Sequence, residues 1–152
     1  MSKEFTIYTA GAMEAYQGTD KAKIWRKTAR IYFEKYQQNV RVINPTDYYN
    51  FDCKLDKNDC EIFRFDLHKV KTSDLILVNL DSIRQSIGTC IEVYEAYRNG
   101  IPVIGFLDSE VSNKEELRNK IHTWVYECCT RIETGNRAFE NALEHICDYY
   151  LM

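Results

Sequence analysis

The sequence predicts an α/β protein, a flavodoxin-like three-layer sandwich with a parallel sheet of about five strands. Short apolar or β-branched runs alternate along the chain with longer segments of helical periodicity. This alternation is typical of a parallel sheet covered by helices on both faces. The chain has 152 residues, 45% of them hydrophobic, which is enough for one core. We therefore expect residues 1–152 to form a single domain.

The first strand is predicted at Phe5–Tyr8, followed by a turn of small residues at Thr9–Ala12. A helix is expected from Thr19 to Tyr36, because apolar side chains recur along it at a spacing close to 3.6 residues. The side chains predicted to mark its inner face are Ile24, Trp25, Thr28, Ile31, Tyr32 and Lys35. A second strand, Val40–Ile43, ends at Asn44-Pro45, a dipeptide that starts loops.

Residues 44–60 are rich in Asp, Asn and Tyr and are predicted to form an irregular loop. A helix from about Glu61 to Lys71 then leads into a buried strand at Leu75–Leu80. The next helix is predicted at Gly88–Asn99, because Gly100 stands where a glycine commonly ends a helix.

The last third of the chain continues the alternation. A strand is predicted at Pro102–Phe106, a helix at Lys114–His122 and an edge strand at Cys128–Ile132. An amphipathic helix at Asn136–Tyr150 closes the domain. Because no repeat or low-complexity linker interrupts this order, the pattern favours one sheet rather than two separate units.

The composition disfavours several classes of partner. A formal net charge of −3 provides no long-range attraction to nucleic acid or to an anionic membrane. No apolar run approaches the ~20 residues that cross a bilayer, and Met1 leads directly into a short segment unlike a signal peptide. The six cysteines show neither a C-x-x-C pair nor zinc-ligand spacing. We expect a cytoplasmic protein with reduced thiols.

Common nucleotide and hydrolase motifs are also missing from the sequence. There is no G-x-G-x-x-G, no G-x-x-x-x-G-K-[ST] and no G-x-S-x-G. Dinucleotide oxidoreductases, nucleoside triphosphatases and serine hydrolases are therefore disfavoured.

The segment Ser86-Ile87-Gly88-Thr89-Cys90-Ile91-Glu92 follows the buried strand and opens a helix. Ligands bind at this edge of open α/β sheets. Three roles are open for Glu92: attack on a substrate, proton transfer, or a helix cap. Thr89-x-x-Glu92 fits a capping box, in which the glutamate reaches back to the amide of the cap residue. Gly88, in contrast, leaves room for a ligand beside the backbone.

Two further side chains lie near the same edge in the predicted sheet. Asp66 stands on the helix that precedes the buried strand, and on its own it is better interpreted as an ordinary solvent-facing aspartate. Tyr8 ends the first strand, where its hydroxyl could orient a neighbouring carboxylate or simply pack at the rim.

Several segments between residues 5 and 106, taken together and in order, resemble the nucleoside 2-deoxyribosyltransferase superfamily. They are Ile7-Tyr8-Thr9-Ala10-Gly11, Asn44-Pro45, Phe65-Asp66-Leu67-x-x-Val70-x-x-Ser73-Asp74-Leu75-Ile76-Leu77, Ser86-x-Gly88-Thr89-x-x-Glu92 and Ala96-x-x-x-Gly100-x-Pro102-Val103. The resemblance implies cleavage of the N-glycosidic bond of 2′-deoxynucleosides by double displacement. It implies no metal or redox cofactor, a small-molecule nucleoside or nucleotide substrate, and a homodimer or higher homo-oligomer.

The resemblance also implies roles for individual residues. Glu92 matches the family's nucleophile, Asp66 the aspartate that protonates the departing base, and Tyr8 the tyrosine that hydrogen-bonds the nucleophile. The substrate-binding residues expected with them are Gly11, Ala12, Ser86, Gly88, Thr89, Asp47 and Tyr48, the last two in the loop at 44–60 that we expect to recognise the base.

Ser86 departs from the transferase pattern, in which an aspartate commonly stands six residues before the nucleophile and holds the sugar 5′-hydroxyl. Serine there is similar to the branch that hydrolyses 2′-deoxynucleoside 5′-monophosphates. Glu14 argues against a phosphate, because that branch carries a basic residue in the same turn; Arg26 or Arg84 could compensate. The transferase is the first interpretation, the hydrolase the alternative, and a non-catalytic nucleotide-binding module a further one.

Overall fold

The protein is described by a computed structural model that covers residues 3–48 and 59–151. In this part of the chain, five strands form one parallel sheet in the order β2-β1-β3-β4-β5. The strands are β1 (Phe5–Gly11), β2 (Val40–Ile43), β3 (Leu75–Asn79), β4 (Val103–Leu107) and β5 (Arg131–Thr134). This strand order is that of a flavodoxin-like sheet. The predicted fold class is therefore confirmed.

Helices cover both faces of the sheet, and each face has its own apolar cluster against which the helices pack. They are α1 (Lys21–Tyr36), α2 (Asp59–Lys71), α3 (Ile87–Arg98), α4 (Lys114–Ile121), α5 (Thr123–Cys128) and α6 (Ala138–Tyr150). Helices α1 and α6 pack on one face, through Phe33 and Ile146 among others. On the other face, Val70 of α2, Val93 of α3 and Val125 of α5 pack against the sheet.

The central strands are covered on both faces. Every residue of β3 and β4 is buried, so their sequences are continuous apolar runs instead of alternating patterns. Strand β1 pairs with β2 on one side and with β3 on the other. The chain therefore adds β2 on one side of β1 and then crosses over to add β3 on the other side, so the strand order reverses between β1 and β3. This is the position at which ligands bind in sheets of this order.

Strand β1 is longer than predicted. Thr9, Ala10 and Gly11 pair with Leu77–Asn79 of β3, so the turn expected at Thr9–Ala12 is wrong over its first three residues. A Cβ at Gly11 would lie 3.0 Å from Cζ2 of Trp25 and 3.2 Å from Cβ of Asn79. The small residue thus serves close packing between β1 and α1 and does not mark a turn.

The buried face of α1 also differs from the prediction. Ile24 and Ile31 point outward, with 60% and 55% of their surface exposed. The residues that face the sheet are Ala22, Trp25, Arg26, Ala29 and Phe33. Two alanines on this face allow the helix to lie close to β1, and the Trp25 ring then meets Phe106 edge-on at a centroid distance of 5.4 Å.

The edge strand predicted at Cys128–Ile132 begins later, at Arg131. A short helix, α5, occupies residues 123–128 because Nδ1 of His122 accepts a hydrogen bond from the amide of Trp124. The hydroxyl of Thr130 accepts a bond from the amide of Val103 at 2.9 Å, and pairing with β4 follows. The remaining predicted elements are confirmed within about two residues at each end. None of the described helices has the length and apolar character to span a membrane.

Candidate active site

A cleft of about 370 Å³ opens at the carboxyl end of the sheet, beside β1 and between the first turns of α3 and the face of α2. The sequence-predicted residues that line it are Tyr8, Gly11, Asp66, Ser86, Gly88, Thr89 and Glu92. These residues come from β1, α2 and the start of α3, elements that are far apart in the chain. The fold thus brings together all three predicted catalytic side chains.

A hydrogen bond joins Glu92 and Tyr8 in this cleft. The buried Tyr8 side chain points from the middle of β1 toward the α2–α3 layer, and its hydroxyl donates to Oε2 of Glu92. Burial raises the pKa of Tyr8 well above its usual range, and the neighbouring Glu92 carboxylate adds to the effect. Tyr8 therefore stays protonated and acts as a hydrogen-bond donor.

The pKa of the Glu92 carboxyl is unusually high. Withdrawal from water raises its pKa from 4.5 to about 7, and the nearby Asp66 charge acts in the same direction. The Tyr8 hydrogen bond and the Arg26 charge act in the opposite direction. Strongly shifted carboxyls in a cleft are a signature of functional sites. This one changes charge close to neutral pH.

The capping box, one of the three roles left open for Glu92, does not form. Helix α3 begins one residue earlier than expected, and its cap residue is Ser86, whose Oγ accepts a bond from the amide of Thr89 at 3.4 Å. The Thr89 hydroxyl is buried and lies 2.6 Å from Ser86 Oγ. Glu92 consequently lies in the second turn of α3, where it meets Tyr8 instead of the cap amide.

Asp66 has its own tyrosine partner. The hydroxyl of Tyr48 donates to Oδ1 of Asp66 at 2.8 Å. The Tyr48 ring packs edge-on against Phe65 at 5.4 Å and lies under the Lys69 ammonium. Burial raises the pKa of Asp66, and the Tyr48 bond, Lys69 and Arg26 oppose that rise in part. Asp66 is therefore a half-buried carboxyl facing the cleft and not a solvent-facing aspartate.

Three of the predicted binding residues do not line the cleft. Asp47 forms an ion pair with Arg30 at 2.6 Å and does not line the cleft. Ala12 is buried and does not line the cleft either. Tyr48 does not line the cleft itself and contacts it through its hydrogen bond to Asp66. Residues 49–58 of the loop expected to recognise the base lie outside the described residues.

One wall of the cleft consists of residues that were not predicted from the sequence. Ile62, Phe63 and Leu67 line it from α2, on the same side of the helix as Asp66. Positions 62 and 63 lie one helical turn before positions 66 and 67. Helical spacing from Asp66 would therefore have identified this face. The Phe63 ring is 47% exposed and provides a flat apolar surface next to the carboxyl.

The two basic residues considered for a phosphate have different locations. Arg84 donates to the carbonyl oxygens of Asn119 and Lys120 and does not line the cleft. Arg26 is buried and does line it. Glu14, the acidic residue of the turn after β1, lines the cleft as well.

Several solved structures share this fold, and three of them are described. A conserved protein from Enterococcus faecalis V583 superposes with a TM-score of 0.67 at 17% identity, over 95% of this chain and 98% of that one. A CMP N-glycosidase of Clostridium botulinum superposes with a TM-score of 0.58 at 18% identity, again over 95% and 98%. A 2-deoxyribosyltransferase from Bacillus psychrosaccharolyticus gives 0.53 at 18% identity, over 77% and 82%.

No protein-family model matches the chain, and no curated protein matches it by sequence. At these identities the structural likeness shows a shared fold. It confirms the architecture that the resemblance to the nucleoside 2-deoxyribosyltransferase superfamily predicts. The chemistry of the cleft has to be argued from its own residues.

Proposed function

We propose that this protein cleaves the N-glycosidic bond of 2′-deoxynucleosides and transfers the deoxyribose to a second base. One observation carries the proposal: Glu92 is bonded to Tyr8 in a cleft that Asp66 also lines. A pair of carboxyls on one cleft suits displacement at an anomeric carbon, where one attacks and the other handles the proton. The shared fold with a 2-deoxyribosyltransferase is consistent with this reaction.

In the first step, an oxygen of the Glu92 carboxylate attacks C1′ of the sugar. The bond between C1′ and the base nitrogen breaks, and its electron pair stays on the base. Asp66 in its carboxylic acid form donates a proton to the departing base. A deoxyribosyl ester on Glu92 and an Asp66 carboxylate result.

In the second step, a nitrogen of an acceptor base attacks C1′ while the Asp66 carboxylate removes its proton. The ester bond breaks and its electron pair returns to Glu92. The raised pKa of Asp66 helps it to hold the proton that the first step needs. The Tyr8 hydroxyl stabilises the Glu92 carboxylate that attacks and later leaves. The scheme needs no metal or redox cofactor.

Hydrolysis of 2′-deoxynucleoside 5′-monophosphates is the second candidate, and Ser86 favours it. Its neutral hydroxyl lines the cleft at the amino end of α3, where exposed backbone amides and the helix dipole favour an anion. A CMP N-glycosidase shares the fold. Water would then take the place of the acceptor base, and Glu14 is the feature that opposes this candidate.

Product analysis distinguishes the candidates. The protein is incubated with 2′-deoxynucleosides and with their 5′-monophosphates, with and without a second base, and the products are separated by chromatography. A new nucleoside that forms only with acceptor supports transfer. Free base and sugar phosphate from monophosphates support hydrolysis. No product from any common substrate, together with retained nucleotide binding, would mean a binding module.

The nucleophile is tested by mass spectrometry of the denatured protein after incubation without acceptor. The wild type should gain the mass of one deoxyribosyl group, and Glu92→Gln should gain none. Glu95→Gln is the matched control, because Glu95 lies on the same helix but pairs with Arg98 at 3.1 Å and does not line the cleft. A Glu92→Gln variant that turns over like the wild type would refute the proposed mechanism.

A further inference from the structure

Arg26 is a buried cation at the cleft that the resemblance does not explain. It lies on the inner face of α1 with 1% of its surface exposed, and it lines the cleft with Tyr8 and Glu92. Its guanidinium donates three hydrogen bonds to backbone oxygens: Nε to Thr9 at 3.3 Å, Nη2 to Gly11 at 3.0 Å and Nη1 to Ala22 at 2.7 Å.

Two of these bonds attach α1 to the carboxyl-terminal half of β1. Thr9 and Gly11 come directly after Tyr8 along the strand, so Arg26 fixes the backbone that carries the tyrosine. The guanidinium also lies over the Trp25 ring, 4.7 Å from its centroid. Trp25 in turn lies close to Gly11. The arginine is therefore held rigidly on both sides.

The charge of Arg26 has no direct ion-pair partner among residues 3–48 and 59–151. Carbonyl dipoles satisfy three of its donors, but a buried cation without a close anion is costly to keep. An apolar side chain would fill the same position at a lower cost. The charge is thus available to the groups across the cleft.

The ionisable groups that face Arg26 come from four parts of the chain: Tyr8 on β1, Tyr48 after β2, Asp66 on α2 and Glu92 on α3. Glu14 lines the same cleft, and Lys69 acts on Asp66 from α2. Glu92 and Asp66 each raise the energy of the other's charged form, since two carboxylates share a cleft with little water. Arg26 is the buried cation that opposes this effect.

We propose that Arg26 is a positioning residue for the reaction: it anchors β1 so that Tyr8 meets Glu92, and its charge favours the anionic, nucleophilic form of Glu92. This inference rests on the proposed function for its catalytic meaning. The electrostatic part can be measured on the protein without any substrate.

The test is a carboxyl ¹³C NMR titration of Glu92, with its signal assigned by comparison with Glu92→Gln. Arg26→Met and Arg26→Gln remove the charge, and the glutamine keeps an amide donor for the carbonyls. Arg26→Lys keeps the charge. Arg30→Met is the matched control, because Arg30 lies one turn further along α1, pairs with Asp47 and does not line the cleft.

We expect Arg26→Met and Arg26→Gln to raise the pKa of Glu92 by about 1 or more. Arg26→Lys and Arg30→Met should leave it close to the wild-type value. If Arg26→Met does not fold, Arg26→Gln against Arg26→Lys provides the same comparison. An unchanged titration in the neutral variants would overturn the inference. A lysine variant that titrates like the neutral ones would overturn it too, since only the shape of arginine would then matter.

Activity adds a second readout. The loss of kcat/KM in Arg26→Gln should be greatest at acidic pH and shrink as the pH rises, whereas a structural defect alone lowers activity equally at every pH. A tenfold rise in KM confined to 5′-monophosphates, with Glu92 titrating as in the wild type, would instead make Arg26 a phosphate anchor and refute the inference. Turnover that survives Glu92→Gln would refute the proposed function and leave the titration result standing.

Discussion

The hydroxyl of Tyr8 donates a hydrogen bond to the carboxylate of Glu92, joining the middle of β1 to the second turn of α3. Burial raises the pKa of Glu92. Among the interactions that lower this pKa again, the Tyr8 hydrogen bond is the largest, ahead of the charge of Arg26. Tyr8 therefore orients Glu92, and Tyr8 and Arg26 together offset part of the rise in pKa that burial causes.

The first prediction concerns Tyr8→Phe. Removing the hydroxyl removes a bond that lowers the pKa of Glu92, so that pKa should rise. Because the protonated carboxyl cannot attack, kcat/KM should fall by about tenfold near pH 6 and by less near pH 9. The measurement is the pH profile of kcat/KM for both proteins. A loss of equal size at every pH would show that Tyr8 acts in some other way.

Tyr48→Phe is the companion variant. Tyr48 donates to Asp66 and not to Glu92, and its bond lowers the pKa of Asp66. Its loss should make Asp66 keep its proton to higher pH, so the alkaline limb of the kcat/KM profile should move to higher pH. The acidic limb, which Tyr8→Phe shifts, should stay close to that of the wild type. Identical pH profiles for the two variants would contradict a specific effect of Tyr48 on Asp66.

The second prediction concerns stability. The pKa of Glu92 is about 7 in the folded protein and 4.5 in its ordinary environment, so between these values the folded state holds a proton that the unfolded chain has released. The free energy of unfolding should therefore fall as the pH rises through this range. Glu92→Gln cannot ionise and should be more stable than the wild type by about 1 to 3 kcal/mol at pH 8.

Denaturant unfolding of both proteins at several pH values measures this difference. It should shrink toward about pH 4.5, where the wild-type carboxyl is protonated in the folded state as well. A Glu92→Gln variant that is less stable than the wild type at alkaline pH would contradict the burial of an ionised carboxylate. It would also revive a structural role for Glu92.

The third prediction concerns the proton donor. Asp66→Asn should lower kcat by about 10²- to 10⁴-fold for bases that need protonation to leave. A base that leaves without a proton, such as an N7-methylated purine, should be affected far less. Steady-state rates for the two kinds of substrate provide the comparison. An equal loss for both would mean that Asp66 binds the base and does not protonate it.

The fourth prediction compares two glycines of the cleft. Gly11→Ala places a methyl group 3.0 Å from Trp25 in a packed region, and should cost about 1 to 3 kcal/mol of unfolding free energy. Gly88→Ala meets no atom within 4 Å and lies in the first turn of α3. It should gain about 0.5 kcal/mol or change little.

The effects on substrate should run the other way. The methyl group of Gly88→Ala projects into open space at the cleft, so KM should rise while the melting temperature holds. Thermal unfolding and steady-state kinetics measure the two quantities. If Gly88→Ala left KM unchanged, substrate would not approach the amino end of α3, which would weaken the case for both candidate reactions.

The fold class was predictable because the alternation of strands and helices is strong, and β3 and β4 are continuous apolar runs. The carboxyl-terminal end of β1 was not predictable from the sequence. Thr9-Ala10-Gly11 reads as a turn, yet these residues are strand because β3 offers paired backbone as far as Asn79. Helix α5 was missed because a six-residue helix capped by His122 leaves no periodic signal.

The three predicted catalytic residues do line one cleft, although their roles stay predictions. Sequence spacing could not show that Ser86, rather than Thr89, caps α3, since either hydroxyl fits a cap. Nor could it find the buried Arg26, because arginines are almost never fully buried. The predicted homo-oligomer and cytoplasmic location also stay predictions, which a single chain does not test.

The hydrogen bond between Tyr8 and Glu92 spans 84 positions of the sequence. A break in the chain between α2 and β3 would leave Tyr8, Arg26 and Asp66 on one fragment and Glu92 on the other. The acid and the nucleophile would then belong to different molecules, and neither fragment would hold a usable half of the site. The cleft thus depends on β1 pairing with β3 and on α2 packing against α3, and a split chain would make its chemistry a reporter of the reassembly of the two fragments.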